Sequence, residues 1–174
     1  MTRQFLTLLF CLFGLSSAHA VEVGDIMYHD QTFSPTYIGA SSAKMPIGVV
    51  FWTYPSKDHG LIMALNQPVD DTFNNAKVYC ENYTTLNFNV GSWRLPDRYE
   101  LLQMGKQSWN GVSDDKFNVL NKKLATITGV GEQLKSGNYH SMMNSSYGYQ
   151  IDLSTGILNN RSSSTAHFRC VMAF

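Results

Sequence analysis

The sequence has little charge, and neither sign is in excess. It carries 13 basic and 13 acidic side chains in 174 residues. A nucleic acid or an anionic membrane surface is usually bound by a concentrated basic field, and the evenly mixed charges here supply none. The sequence therefore predicts no nucleic-acid partner.

Cysteine is scarce, and the usual metal-binding patterns of cysteine and histidine are absent. The chain has 3 cysteines and 5 histidines, without a CxxC or HExxH motif. It also lacks the GxSxG motif that marks the nucleophile in many hydrolases. We therefore expect no metal, no cofactor and no enzymatic activity.

The longest apolar run is too short to anchor the chain in a bilayer, which takes about 20 residues. It extends from Phe5 to Leu15, follows Arg3 and precedes the small-residue sequence SSAHA. This arrangement is typical of a secretory signal peptide with an A-x-A cleavage site. We expect residues 1–20 to be a signal peptide and Val21 to begin the mature chain. The mature protein would be exported to the periplasm, the cell surface or the extracellular space, with no integral membrane segment.

Two cysteines, Cys80 and Cys170, lie outside the predicted signal peptide. Export places them in an oxidising environment, where two cysteines permit one intramolecular pairing. Such a disulfide would tie the middle of the chain to its last strand and contribute about 4 kcal/mol by restricting the unfolded chain. The alternative, two buried free thiols, is disfavoured by export.

Residues 21–174 begin with short strand-like segments and a central hairpin. Two short strands are predicted within VGDIMYHD and QTFS. Two apolar runs of strand length follow, Ile47 to Tyr54 and His59 to Asn66, and the turn sequence PSKD separates them. The pattern predicts that these two runs pair as a hairpin in the core.

Three later stretches have the apolar spacing of amphipathic helices. The first extends from about Thr72 to Thr84, and Asp70 and Asp71 precede it where a cap and a favourable first-turn charge belong. The second begins with a capping pattern formed by Asp97 and Glu100. The third, DDKFNVLNKKLATI, places its apolar residues on one face.

Ser113 or Asp114 would cap this third helix, and beyond it the apolar residues alternate, as in GYQIDL and AHFRCVMAF. Alternation is typical of antiparallel strands, and in the tail it places Arg169 on the face opposite Phe168 and Cys170. The order of strands, helices and strands predicts a single α+β domain. We expect a mostly antiparallel sheet, two or three helices on one side of it, and long loops.

Four of these segments, in this order, resemble a known family. They are the helix sequence AKVYC, the sequence WRLPDRYEL, the sequence YHSM and the tail FRCVMAF. The set is similar to the C-terminal domain of the Legionella collagen-like adhesin and to the related Fibrobacter major paralogous domain. Family members carry a threonine where Asp97 stands, and a tryptophan and a serine where His140 and Met142 stand.

The resemblance implies a C-type lectin-like fold over most of residues 47–174, with GDIMYHDQTFS as a short N-terminal β extension. It also implies a disulfide from the first helix to the last strand, which Cys80 and Cys170 match. Calcium-dependent lectins of this fold need a dense set of oxygen ligands around a proline-centred triplet. The sequence QPVDD precedes a predicted helix, and WNG at Trp109 lacks an acidic third residue, so we expect no calcium site.

Several aromatic residues lie near predicted loops rich in asparagine and serine. Tyrosine and tryptophan with small polar neighbours make good recognition surfaces, because they offer large contact areas and have few rotamers to restrict. We therefore predict a ligand-binding surface between Gln103 and Tyr149. Its candidate residues are Trp109, Tyr139, His140, Tyr147 and Tyr149. The alternative for each of them is ordinary packing.

Together with export, the resemblance implies a non-enzymatic binding module with an adhesin-like role. Its partner would be a glycan or a protein at the bacterial cell envelope or outside it. The main alternative is a structural or assembly subunit of a pilus or envelope complex. An enzyme is a less favoured alternative, since the sequence shows no catalytic motif.

Overall fold

The structure is a computed structural model that describes residues 20–41, 44–85, 92–109, 112–143, 148–159 and 164–174. Most of the predicted signal peptide lies outside these residues. In the part of the chain that is described, no helix is long and apolar enough to cross a membrane.

The described elements are groups of antiparallel strands separated by short helices, which confirms the predicted α+β class. In chain order they are β1 (Ile26–Tyr28), β2 (Phe33–Ser34), β3 (Pro46–Thr53), β4 (Gly60–Ala64), α1 (Phe73–Asn82), α2 (Arg98–Met104), β5 (Lys106–Trp109), β6 (Val112–Asp115), α3 (Lys116–Thr126), β7 (Asn138–Met142), β8 (Gly148–Asp152), β9 (Ile157–Asn159) and β10 (Val171–Ala173).

The central sheet has five antiparallel strands in the order β10-β4-β3-β1-β2. The predicted hairpin is confirmed as β3 and β4, in which Val49 pairs with Met63 and Gly48 with Ala64. A smaller sheet has the order β7-β8-β9, and β5 pairs with β6. The long apolar runs of β3 and β4 are explained by burial of both faces of the central sheet, because such strands need no polar alternation.

Each face of the central sheet carries its own hydrophobic cluster. Val49 and Phe51 of β3 belong to the cluster that includes Leu101 of α2 and Leu120 of α3. Val50 belongs to the other cluster, in which the buried side chains of α1 pack. The expectation that the helices lie on one side of the sheet is therefore wrong, since α1 lies opposite α2 and α3.

The helix caps agree with the sequence at α2 and shift by one residue elsewhere. Asp97 and Glu100 form the complete capping box, with Glu100 N donating to Asp97 Oδ1 and Asp97 N donating to Glu100 Oε2, both at 2.8 Å. Thr72, rather than Asp70 or Asp71, caps α1. The cap of α3 is likewise not the predicted Ser113 or Asp114.

Asp115 caps α3, since its side chain accepts a hydrogen bond from Asn118 N. In α1 the predicted aspartate still contributes, because Asp71 accepts from Thr72 N and from Asn75 Nδ2 at 2.7 and 2.8 Å. In α1 and α3, acidic residues therefore lie at the helix start as predicted, but each helix begins one residue later than the pattern indicated.

The predicted disulfide between Cys80 and Cys170 is confirmed, and it joins α1 to the residue that precedes β10. β10 pairs with β4 along one edge, and the WRLP segment (residues 93–96) covers its other edge. Arg94 N donates to Val171 O at 3.0 Å, and Val171 N donates to Arg94 O at 2.8 Å. Trp93 is fully buried beside this contact, and its ring meets that of Tyr83 edge to face at 5.2 Å.

Candidate functional site

A groove of about 570 Å³ opens where β3, β4, β10 and the start of α2 meet. We call it the aromatic groove. Its aromatic side chains are Trp52, Tyr54, Tyr99 and Phe174, and its central polar side chains are Arg94 and Glu100. Its size lies within the range of about 300–1,000 Å³ that is typical of small-molecule sites.

The aromatic side of the groove depends on an irregularity in β3. The pairing of β3 with β4 shifts register between Val50 and Trp52. Trp52 packs partly against the same hydrophobic cluster as its neighbour Phe51, which regular strand alternation would not allow. The shift therefore turns Trp52 toward the groove, a re-aiming of side chains that β-bulges commonly produce.

The rings of the groove remain accessible. Trp52 and Tyr54 meet nearly edge to face with their centroids 4.3 Å apart, and Tyr54 lies 4.2 Å from His59. Tyr54 is 45% exposed, and Tyr99 on α2 is 72% exposed. Large aromatic side chains exposed around one concavity form a surface that is suited to apolar ligand faces.

The polar side of the groove is organised by a bidentate ion pair. Arg94 Nη1 donates to Glu100 Oε2 and Nη2 donates to Oε1, both at 2.6 Å. Burial opposes ionisation of Glu100, but the bonds from Arg94 and from Asp97 N outweigh it, and the pKa of Glu100 is lowered. The bond to Glu100 likewise raises the pKa of Arg94. Both side chains are therefore charged at neutral pH.

Local sequence patterns do not predict most of this groove. Trp52 follows a run of core residues, and Arg94 pairs with Glu100, which is six residues away. The local signal that was available is the sequence FWTYPSKDH, in which aromatic residues flank a predicted turn. That signal does not reveal that α2 and β10 lie beside the turn.

The predicted surface residues do not form one site in the described structure. Trp109 is the last residue of β5, and its side chain lies outside the description. Tyr147 lies outside the described residues, whereas Tyr149 is half-buried in β8. Tyr139 and His140 are fully buried, so the prediction that they contribute to an exposed contact surface is wrong.

Tyr139 is buried because β7 is covered on both faces, and its hydroxyl belongs to an internal network. The hydroxyl donates to Gln67 Oε1 at 2.8 Å and accepts from Lys135 N at 2.8 Å. Burial raises the pKa of Tyr139 to about 12. A ligand in solution cannot reach this hydroxyl without opening the core.

His140 points to the other side of β7, toward the beginning of α1. Its Nε2 lies 2.8 Å from Asp71 O, and its ring lies 6.0 Å from that of Phe73. Burial lowers the pKa of His140, although the bond to Asp71 and the charges of Asp71 and Asp70 oppose this shift. The neutral ring therefore donates from Nε2, and Nδ1 has no partner among the described residues.

Arg169 was predicted to alternate away from the core, yet it is fully buried. Nη1 donates to Ala64 O and Leu65 O at 3.0 and 2.8 Å, while Nη2 donates to Gln67 Oε1 and Glu132 O at 3.0 and 2.9 Å. Burial lowers the pKa of Arg169 to about 10. This guanidinium therefore fastens two loops from inside and is not available to a ligand.

Outside the groove, acidic and histidine side chains of the described ranges meet in pairs such as Asp70 with His167. In these ranges, no group of three histidine, cysteine, aspartate or glutamate side chains is placed to hold a metal ion. The aromatic groove combines a sizeable volume with exposed rings and ordered polar groups. No family model matches the chain, and no curated protein matches its sequence at a significant level.

Proposed function

We propose that the protein is an exported, non-enzymatic binding module that holds a glycan in the aromatic groove. The observation that carries the proposal is the concavity of about 570 Å³ in which exposed rings adjoin an Arg94–Glu100 pair. A sugar ring has an apolar face of C–H groups and a rim of hydroxyls. Aromatic rings accommodate the face, and fixed polar groups bind the rim.

A binding role fits the carboxylates of the groove better than catalysis does. Hydrolysis of a glycoside needs one carboxylic acid whose pKa is raised, so that it can protonate the leaving oxygen. The pKa of Glu100 is lowered instead, and both of its oxygens accept hydrogen bonds. Asp97 is engaged in the helix cap through Oδ1.

In this proposal the fold is C-type lectin-like and the role is adhesin-like, as the motif resemblance implies. The glycan would belong to the bacterial envelope or to a surface outside the cell. The opposite placement of α1 and α2, the antiparallel sheets and the disulfide are compatible with that fold.

The proposal is tested by screening the mature chain on an array of neutral, amino and acidic glycans, with isothermal titration of the bound probes. We expect Tyr54→Ala and Tyr99→Ala each to weaken binding by roughly tenfold. Tyr79→Ala, which truncates an exposed tyrosine of α1 outside the groove, is the matched control. A blank array, or binding that both groove variants leave unchanged, would contradict the proposal.

A second candidate is the structural or assembly subunit, and one surface favours it. Three apolar side chains in or near α1 are exposed: Val69, Val78 and Tyr79. Tyr79 borders two shallow concavities, of which one also includes Val69 and the other also includes Val78. Contiguous exposed apolar residues commonly mark protein contacts. A photo-crosslinking residue at position 78, introduced into the protein in its native envelope, should yield one defined adduct if this candidate is correct.

A further inference from the structure

We infer that Arg94 binds two neighbouring hydroxyl oxygens of an uncharged sugar. The inference rests on the proposed function and specifies the ligand class of the same groove. It follows from which hydrogen-bond donors of Arg94 are already used, and from the charges that surround those still free.

A guanidinium group has five N–H donors in one plane. In Arg94, Nη1 donates to Glu100 Oε2 at 2.6 Å and to Leu95 O at 3.2 Å, which occupies both of its hydrogens. Nη2 donates one hydrogen to Glu100 Oε1 at 2.6 Å. The Nε–H and the second Nη2–H have no partner among the described residues. We call these two donors the side-on fork.

The side-on fork is held in place before any ligand arrives. Both carboxylate oxygens of Glu100 accept hydrogen bonds from the end of the guanidinium, and Glu100 Oε2 also accepts one from Asp97 N at 2.8 Å. The plane of Arg94 is therefore set by the same capping box that begins α2. The Arg94 side chain is 38% exposed and borders the groove, so that a ligand can approach it.

Two parallel N–H donors match two adjacent acceptor oxygens. In a glycan, such a pair is provided by an anionic group such as a carboxylate, or by neutral oxygens such as the hydroxyls of two neighbouring ring carbons. Either ligand could place its ring against Tyr54 or Tyr99, which border the same groove. The shape of the side-on fork does not separate these two ligand classes, but the charges around it do.

The groove disfavours a carboxylate. The charged side chains that line it are those of Arg94, Asp97 and Glu100, which together leave one negative charge in excess. The positive charge of Arg94 is already matched by Glu100, so an anionic ligand would compete with Glu100 and meet repulsion from Asp97. A neutral pair of hydroxyls can accept from the side-on fork without that cost.

The test compares four hexasaccharides by isothermal titration: β-1,4-linked mannohexaose and cellohexaose, and their counterparts in which every C6 is a carboxylate. We expect a neutral hexasaccharide to bind at least tenfold more tightly than its acidic counterpart. Arg94→Lys keeps a positive charge for Glu100 but lacks the side-on fork, and it should weaken neutral binding by roughly tenfold. Arg98→Lys, at an exposed position in the first turn of α2, is the control and should leave binding unchanged.

Thermal unfolding of each variant shows whether the fold survives, and Arg94→Gln provides a second variant if Arg94→Lys is unstable. Equal or tighter binding of an acidic hexasaccharide, or neutral binding that is sensitive to Tyr99→Ala but not to Arg94→Lys, overturns the inference and leaves the proposed function standing. Failure of all four probes also overturns the inference, whereas the proposed function fails only if the whole glycan array is blank or if Tyr54→Ala and Tyr99→Ala both leave glycan binding unchanged.

Discussion

Replacing both members of the disulfide by alanine should remove much of the stability of the fold. Cys80 and Cys170 are 90 residues apart, and closing a loop of that length restricts the unfolded chain by about 4–5 kcal/mol in the chain-entropy model. Both sulfurs are also buried in the cluster that contains Trp93, so their loss leaves a small cavity that costs roughly 1–2 kcal/mol more. The combined loss of about 6 kcal/mol approaches the whole stability of many domains.

Urea unfolding of a chain of residues 21–174, followed by tryptophan fluorescence, measures this loss. The wild-type protein unfolded in the presence of a reductant is the control that separates the cross-link from the cavity, because it keeps both sulfur atoms. We expect the reduced protein to lose about 4–5 kcal/mol and the double variant slightly more. A double variant whose free energy of unfolding lies within about 1 kcal/mol of the oxidised wild type would refute the reasoning.

Further expectations concern side chains of the core. Trp93→Ala should destabilise the protein by about 3–5 kcal/mol or prevent folding, whereas Arg98→Ala, at an exposed position, should shift the urea midpoint very little. Tyr139→Phe should cost about 1–3 kcal/mol in urea unfolding, because it removes the buried hydrogen bond to Gln67 Oε1 and the part-buried bond from Lys135 N, and it should not alter glycan affinity. Because burial lowers the pKa of His140, the unfolded chain takes up this proton first as the pH falls. The stability that neutral His140 contributes should therefore be complete above its ordinary pKa of 6.5 and decrease below it, and urea midpoints between pH 5 and pH 8 should vary less in His140→Gln.

The features that local pattern predicted are those whose physical cause is local. The capping box needs only Asp97 and Glu100, which are three residues apart, and the β3–β4 hairpin follows from two apolar runs and a turn. The disulfide was predictable for a different reason, because Cys80 and Cys170 were the only cysteines outside the predicted signal peptide.

The features that the sequence did not predict depend on distant chain segments. Arg169 is buried because it meets the carbonyl oxygens of Ala64 and Leu65, which are more than 100 residues away. Tyr139 and His140 lie on opposite faces of β7, and only the packing of the core and of the α1 start covers both faces. Local alternation contains no information about such coverage.

The aromatic groove could not be predicted for the same reason. It combines the β3–β4 hairpin, the beginning of α2 and the end of β10, and each segment separately has an ordinary structural interpretation. Trp52 follows an apolar run, Arg94 alternates with buried neighbours, and Tyr99 is one exposed residue of a helix. Their proximity is a property of the tertiary fold.

The short strand β10 makes unfolding cooperative. Its residues pair with β4 on one edge and with Arg94 on the other, while Cys170 before it holds α1. The neighbouring Arg169 also fastens the backbone at Ala64 from inside. Detaching β10 would expose both hydrophobic clusters at once, so local opening at this strand costs nearly as much free energy as global unfolding. Proteases that need a frayed strand should therefore find little to cleave here while the rest of the domain is folded.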